Sequence, residues 1–262
     1  MKAEIGIIGG SGFYSFLEGK EAWVNTPYGA PSDKILLSKH QGRDVAFLPR
    51  HGKSHQYPPH KINYRANLFA LKKLGMRYIL APCAAGSLKP KIKPGHFVIA
   101  DQFIDRTKNR QDTFYNGPKA VHIAMVQPYC PALRGLAVNA CEELGIKHHK
   151  QGTMVVIEGP RFSTKAESEA YSQIADVINM TQYPEVVLAR ELGMCYVNIS
   201  LVTDYDAGLK AGDDIKPVSA QEVKRVFGRN NERVKKVILK IIENVPEHLP
   251  CHCAGALKQA VL

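Results

Sequence analysis

Thr203-Asp204-Tyr205-Asp206 follows directly on an apolar run at 195–202. Residues two apart on an extended segment face the same way, so both carboxylates can reach one ligand. In a desolvated pocket two neighbouring acids push one pKa up, which leaves a protonated acid available to a leaving group. The competing reading is a capping or calcium-like turn, although calcium takes more oxygen ligands in sequence than this stretch offers. Asp204 and Asp206 are therefore the candidate catalytic residues.

Further stretches carry groups suited to an anion. Ile7-Ile8-Gly9-Gly10-Ser11-Gly12 is an apolar strand running into a glycine turn. Glycines bring backbone N–H groups close to an anion and Ser11 adds a donor, while a turn without a ligand has the same composition. The dinucleotide fingerprint fails because Ser15 stands where its third glycine belongs, and the Walker pattern fails because Gly19-Lys20 is followed by Glu21. Leu48-Pro49-Arg50-His51-Gly52 ends a strand in an arginine, whose fork suits bidentate contact with phosphate, and in an imidazole that can donate a second bond. Nearby His55 and His60 lack an acidic or cysteine partner at ligand spacing and read as structural or loop residues.

Ala81-Pro82-Cys83-Ala84-Ala85-Gly86-Ser87 places small residues after a buried-looking strand, where ligands gather in open α/β sheets, though close helix packing would explain them equally. Ile157-Glu158-Gly159-Pro160-Arg161-Phe162-Ser163 offers Phe162 to stack on a base, and Ile178-Asn179-Met180-Thr181 offers an adaptable apolar contact and a donor. Phe162 and Met180, taken singly, suit a core just as well.

The elements that must position these groups are legible as alternating patterns. Near-continuous apolar runs at 4–8, 44–48, 78–81, 97–100, 153–157 and 195–202 read as strands buried on both faces. Helical spacing appears at Leu68, Leu71 and Leu74, at Val186, Val187 and Ala189, and at Val223, Val226, Val234, Val237 and Ile241. The fold class is α/β, a single domain with a central mostly parallel or mixed β-sheet flanked by helices. Residues 107–131, with Gly117, Pro118, Pro128 and Pro131, read as a long excursion of the functional kind. A domain over 1–245 and a tail over 246–262 are expected.

With 45% hydrophobic and 23% charged residues the chain has enough apolar side chain to close a core, so disorder is excluded. No apolar run approaches the roughly 20 residues of a membrane span, and the first residues lead straight into a strand, so a cytoplasmic protein is expected. A formal charge of +11 favours anionic partners, but the lysines are dispersed and no nucleic-acid docking motif is present. Cys251-His252-Cys253 has one residue between its sulfurs, unlike structural zinc pairs, and reads as a reduced tail with a disulfide as the alternative.

In this order the motifs resemble the methylthioadenosine phosphorylase branch of the trimeric purine nucleoside phosphorylase family. The similarity runs from about residue 5 to about residue 206 and more weakly to 244, with Asp101-Gln102-Phe103-Ile104-Asp105-Arg106-Thr107 among its diagnostic stretches. It implies phosphate-dependent cleavage of a purine nucleoside, with inorganic phosphate as co-substrate and neither metal nor organic cofactor. The resemblance places phosphate on Ser11, Arg50, His51, Ala84 and Thr181 with Cys83 beside it. Relatives carry threonine at that last position, and a thiol is the weaker donor. It also places Met180 on the ribose, Phe162 on the base, Asp204 at purine N7 and Asp206 at the 6-amino group. The pair favours adenine, with 6-oxopurine nucleosides or methylthioinosine as the alternative substrates. Ser163, Ala220, Val223 and His122 stand as specificity residues, the last lent by a neighbouring subunit of a homotrimer or hexamer. A phosphate- or nucleotide-binding protein without catalysis is the reading from another class, and it leaves the two carboxylates without a use.

Overall fold

The computed structural model describes residues 4–10, 18–208 and 218–261. The element order is β1 (Ile5–Gly9), β2 (Gly19–Ala22), β3 (Ile35–His40), β4 (Arg43–Pro49), α1 (Tyr64–Lys73), β5 (Tyr78–Ser87), β6 (Phe97–Val98), β7 (Gln102–Arg106), α2 (Pro131–Glu143), β8 (His148–His149), β9 (Thr153–Ile157), α3 (Lys165–Ser172), β10 (Val177–Asn179), α4 (Gln182–Glu191), β11 (Cys195–Asp204) and α5 (Ala220–Asn244). Every apolar run expected to be a strand contains one, although the run at 97–100 is strand only at Phe97–Val98. Strand β11 is buried along its whole length, as a strand covered by helices on both faces must be.

The sheet is mixed. Strands β4, β1, β5 and β11 run parallel, as do β10, β9 and β7, and the two groups meet where β10 pairs antiparallel to β5. Helices α1 and α4 cover one face through Leu68, Leu71, Val186 and Leu188. Helices α2 and α5 cover the other through Leu133, Ala137, Val234, Val237 and Ile241. Only the second half of α5 is buried in this way, at Val234, Val237, Ile238, Ile241 and Ile242, which repeats at helical spacing. Its first half is left to face something else.

Three expectations need amendment. Strand β5 runs through Ser87 rather than stopping at 81, because β11 pairs with it nearly to the end and small residues fit between the helical layers. The excursion after β7 is irregular to Cys130 but firmly held: Thr113 Oγ1 and the Phe114 N–H both donate to buried Glu191, each at 2.8 Å. The tail is packed onto the body, with Cys253 only 4% exposed in the α2/α5 core. The sulfurs of Cys130, Cys195, Cys251 and Cys253 lie within 4.8 Å of one another. Spacing within the tail could not show this, because two of the four thiols come from the start of α2 and the start of β11. Among the described residues, no helix is long and apolar enough to cross a membrane.

Candidate active site

One edge of β5 is shared. Tyr78 to Leu80 pair with β1, and Gly86 and Ser87 pair with β10, so the two strand groups diverge on either side of Ala81 to Ala85. Into that divergence open the carboxyl ends of β1, β4, β10 and β11, the place where open α/β sheets bind ligands. A cavity of about 810 Å³ lies there, lined among others by Gly10, Arg50, His51, Cys83, Ala84, Phe162, Met180, Thr181, Asp204 and Asp206. Ser11, expected to donate to an anion, lies outside the described residues.

At one end sits Arg50, 1% exposed just past β4. Its fork is already occupied. Nε and Nη2 donate to the two oxygens of Glu185 at 2.8 and 2.9 Å, Nη2 also donates to the Ile8 carbonyl at 2.9 Å, and Nη1 donates to the Pro82 carbonyl at 3.1 Å. Burial works against the guanidinium charge, and the Glu185 carboxylate outweighs it and keeps Arg50 charged. The expected bidentate grip on an anion is thus corrected: of five N–H donors, one on Nη1 remains.

His51 is corrected as well. Burial first and Arg50 second hold its pKa down at about 4, so the ring is neutral near pH 7. Its Nδ1 lies 2.9 Å from the Tyr57 carbonyl, which requires the proton there, and Nε2 is left as an acceptor rather than a donor. Cys83 offers no donor either. Asn179 and Asn198 donate to its sulfur at 3.3 and 3.2 Å. Ser200 donates its own proton to Asn198 at 2.6 Å and therefore accepts from the thiol across 3.3 Å. Thr181 stands between β10 and α4 with no side-chain capping bond and lines the cavity; Tyr183 is extended (φ −105°, ψ 134°), so the regular part of α4 begins only after it.

At the other end are the acids. Asp204, 9% exposed, accepts at Oδ2 from the Thr203 hydroxyl and at Oδ1 from the Asp206 N–H, both at 2.7 Å. Desolvation outweighs these bonds and, with a smaller contribution from the Asp206 charge, lifts the Asp204 pKa to about 6. Asp206, 3% exposed, takes φ 51°, a left-handed turn that aspartate tolerates and that brings both carboxyls to one end of the cavity. The Ser163 hydroxyl donates to Asp206 Oδ2. Gly86 forms the wall behind them: a Cβ there would come within 3.0 Å of Asp204 Oδ1 and of Ile178 Cγ2.

The structure brings the other expected residues into one place with one exception. Phe162 and Met180 line the cavity, Met180 packing also against the core cluster that holds Val155 and Ile178, and Ala220 and Val223 line it from the first half of α5. His122 does not line this chain's cavity; its N–H donates to the Ala260 carbonyl at 2.8 Å, beside the tail. Sequence reasoning did not find Glu185 or the α5 residues Lys224, Phe227, Gly228 and Asn231, which also line the cavity. The α5 set was available from the helical repeat begun by Ala220 and Val223. Glu185 carried no signal, because a lone acid in an apolar helix shows its partner only in three dimensions.

The acid pair at one end of the cavity and the guanidinium at the other sit on the split α/β sheet of a group-transfer enzyme. The model of the Phosphorylase superfamily matches residues 4–243, and the chain belongs to that family. It is 55% identical over 256 residues to the S-methyl-5'-thioadenosine phosphorylase of Pyrococcus abyssi, covering 97% of this chain and 98% of the relative. Among solved structures, a methylthioadenosine phosphorylase from an antarctic soil metagenomic library superposes with a TM-score of 0.93 at 40% identity, covering 100% of this chain and 93% of that one. The methylthioadenosine phosphorylase of Schistosoma mansoni in complex with adenine gives 0.91 at 34% identity, covering 98% and 96%.

Proposed function

We propose that the chain cleaves S-methyl-5'-thioadenosine with inorganic phosphate, giving adenine and 5-methylthioribose 1-phosphate, without a metal or organic cofactor. The observation that carries this reading is the acid pair: Asp204 with its pKa lifted to about 6, beside Asp206, facing one cavity with Arg50. A phosphate oxygen attacks the ribosyl C1' as the C1'–N9 bond breaks, the bonding pair leaves with the purine, and Asp204 supplies or shares a proton at N7. Asp206, held by the Ser163 hydroxyl, accepts from the 6-amino group through a carboxylate oxygen, which a 6-oxo group cannot satisfy. Phosphate lies against Arg50, His51, the backbone at Ala84 and Thr181. A protonated phosphate oxygen donates to His51 Nε2. The nucleoside lies between Met180 and Phe162, and Ala220 and Val223 take the 5' substituent.

A homotrimer or hexamer, with His122 contributed across an interface, and a cytoplasmic site belong to the same reading; light scattering on the purified chain tests the assembly. The direct test of the function is release of free base from methylthioadenosine, adenosine, methylthioinosine and inosine, each with and without phosphate. Phosphate-dependent adenine release, fastest from methylthioadenosine, is the expected result. Faster hypoxanthine release would overturn the base assignment, and base release independent of phosphate would overturn the co-substrate.

A further inference from the structure

Glu185 is fully buried on α4 and does not line the cavity, yet it takes two of the five N–H donors of Arg50, the buried cation among the described residues lining the cavity. The Tyr196 hydroxyl donates to the same carboxylate at 2.6 Å. If Arg50 only needed holding in place, the carbonyls of Ile8 and Pro82 and a neutral side chain at 185 would serve; a carboxylate also cancels its charge. His51 adds no positive charge near neutral pH. Among the described residues lining the cavity, the other fixed cation is Lys224, exposed on α5.

We propose that Glu185 is a positioning residue that keeps the Arg50 end of the cavity close to electroneutral, so that phosphate is bound by dipoles and keeps its own charge. This rests on the reading of that end as the phosphate site. Its chemical sense follows from what phosphate must do. An oxyanion neutralised by a bare guanidinium binds tightly in the ground state but is a weaker nucleophile and a weaker counter-charge for a ribosyl centre becoming cationic. Binding strength that is not greater in the transition state does not raise turnover. A single N–H from Arg50, Thr181 and neighbouring backbone groups fix the anion without discharging it.

The test separates charge from scaffolding. E185Q is nearly isosteric and keeps an acceptor; it is expected to lower the KM for phosphate about tenfold and lower kcat by a similar factor, an opposed pair of changes that loosened positioning does not produce. R50Q should raise the phosphate KM about 100-fold, the scale for losing a charged hydrogen-bonding group. R50Q/E185Q restores the wild-type net charge and should return the phosphate KM to within about fivefold of wild type, since buried pairs replaced together are tolerated better than singly. That double variant keeps the test open should E185Q fold poorly. A higher phosphate KM in E185Q, or a double variant no better than R50Q, would overturn the inference. An unchanged phosphate KM in R50Q would instead remove the phosphate reading beneath it.

Discussion

The two ends of the cavity bury charge in opposite ways. Arg50 and Glu185 face each other through two short bonds, and the Glu185 carboxylate keeps Arg50 charged. Asp204 and Asp206 share their end with no cation among their hydrogen-bond partners in the described residues, held by Thr203, Ser163 and a backbone N–H. A compensated pair gives fixed geometry, whereas an uncompensated pair gives a proton that can be moved. One cavity thus separates holding from proton transfer by giving one carboxylate a partner and denying it to another.

The sharpest way to break that contrast is D204A, which removes the movable proton and should lower kcat on methylthioadenosine about 10²–10⁴-fold, read by initial rates at saturating phosphate. Turnover within ten-fold of wild type would dissociate Asp204 from the leaving group. D204N is the complementary variant. Because folding raises the Asp204 pKa from 3.8 to about 6, the stability tied to its protonated form is complete below the unfolded value and is lost as pH rises through the folded one. An amide resembles the protonated acid, so D204N should be more stable than wild type above pH 6 by about 1–3 kcal/mol and equal to it near pH 4, as measured by denaturant unfolding.

The same titration predicts that kcat/KM falls as pH rises above about 6 in the wild type, where proton donation to the purine limits the rate. A profile flat from pH 5 to 8 would place the proton elsewhere. G86A should cost less, on the order of tenfold in kcat/KM with little change in the phosphate KM, because its Cβ would displace the Asp204 carboxyl and leave Arg50 untouched. Smallest is S163A, which removes one donor to Asp206 and should weaken the preference for 6-amino over 6-oxo nucleosides about threefold.

Much of this was legible in the sequence, for reasons that differ by residue. Strand positions were plain because buried parallel strands are apolar throughout, and the acids stood out because they interrupt the longest such run. Roles that depend on unused hydrogen-bond capacity were not. Arg50 looked like a free fork, His51 like a donor and Cys83 like a weakened threonine, and in each case partners set by the fold decided otherwise: distant Glu185 for Arg50, the nearby loop carbonyl of Tyr57 for His51, and distant Ser200 with Asn198 for Cys83. Residue type gives capacity; only the fold shows how much of it is already in use.

The sulfur cluster bears on the acid end from a distance. Cys195 begins β11 and Asp204 ends it, so the strand that carries this acid at its tip has its root packed among thiols from the tail and from the head of α2. Strand and tail stand as a lever and its mounting: no described residue of the tail lines the cavity, yet trimming the chain before Cys251 would remove two of the four thiols around the base of the strand that ends at Asp204.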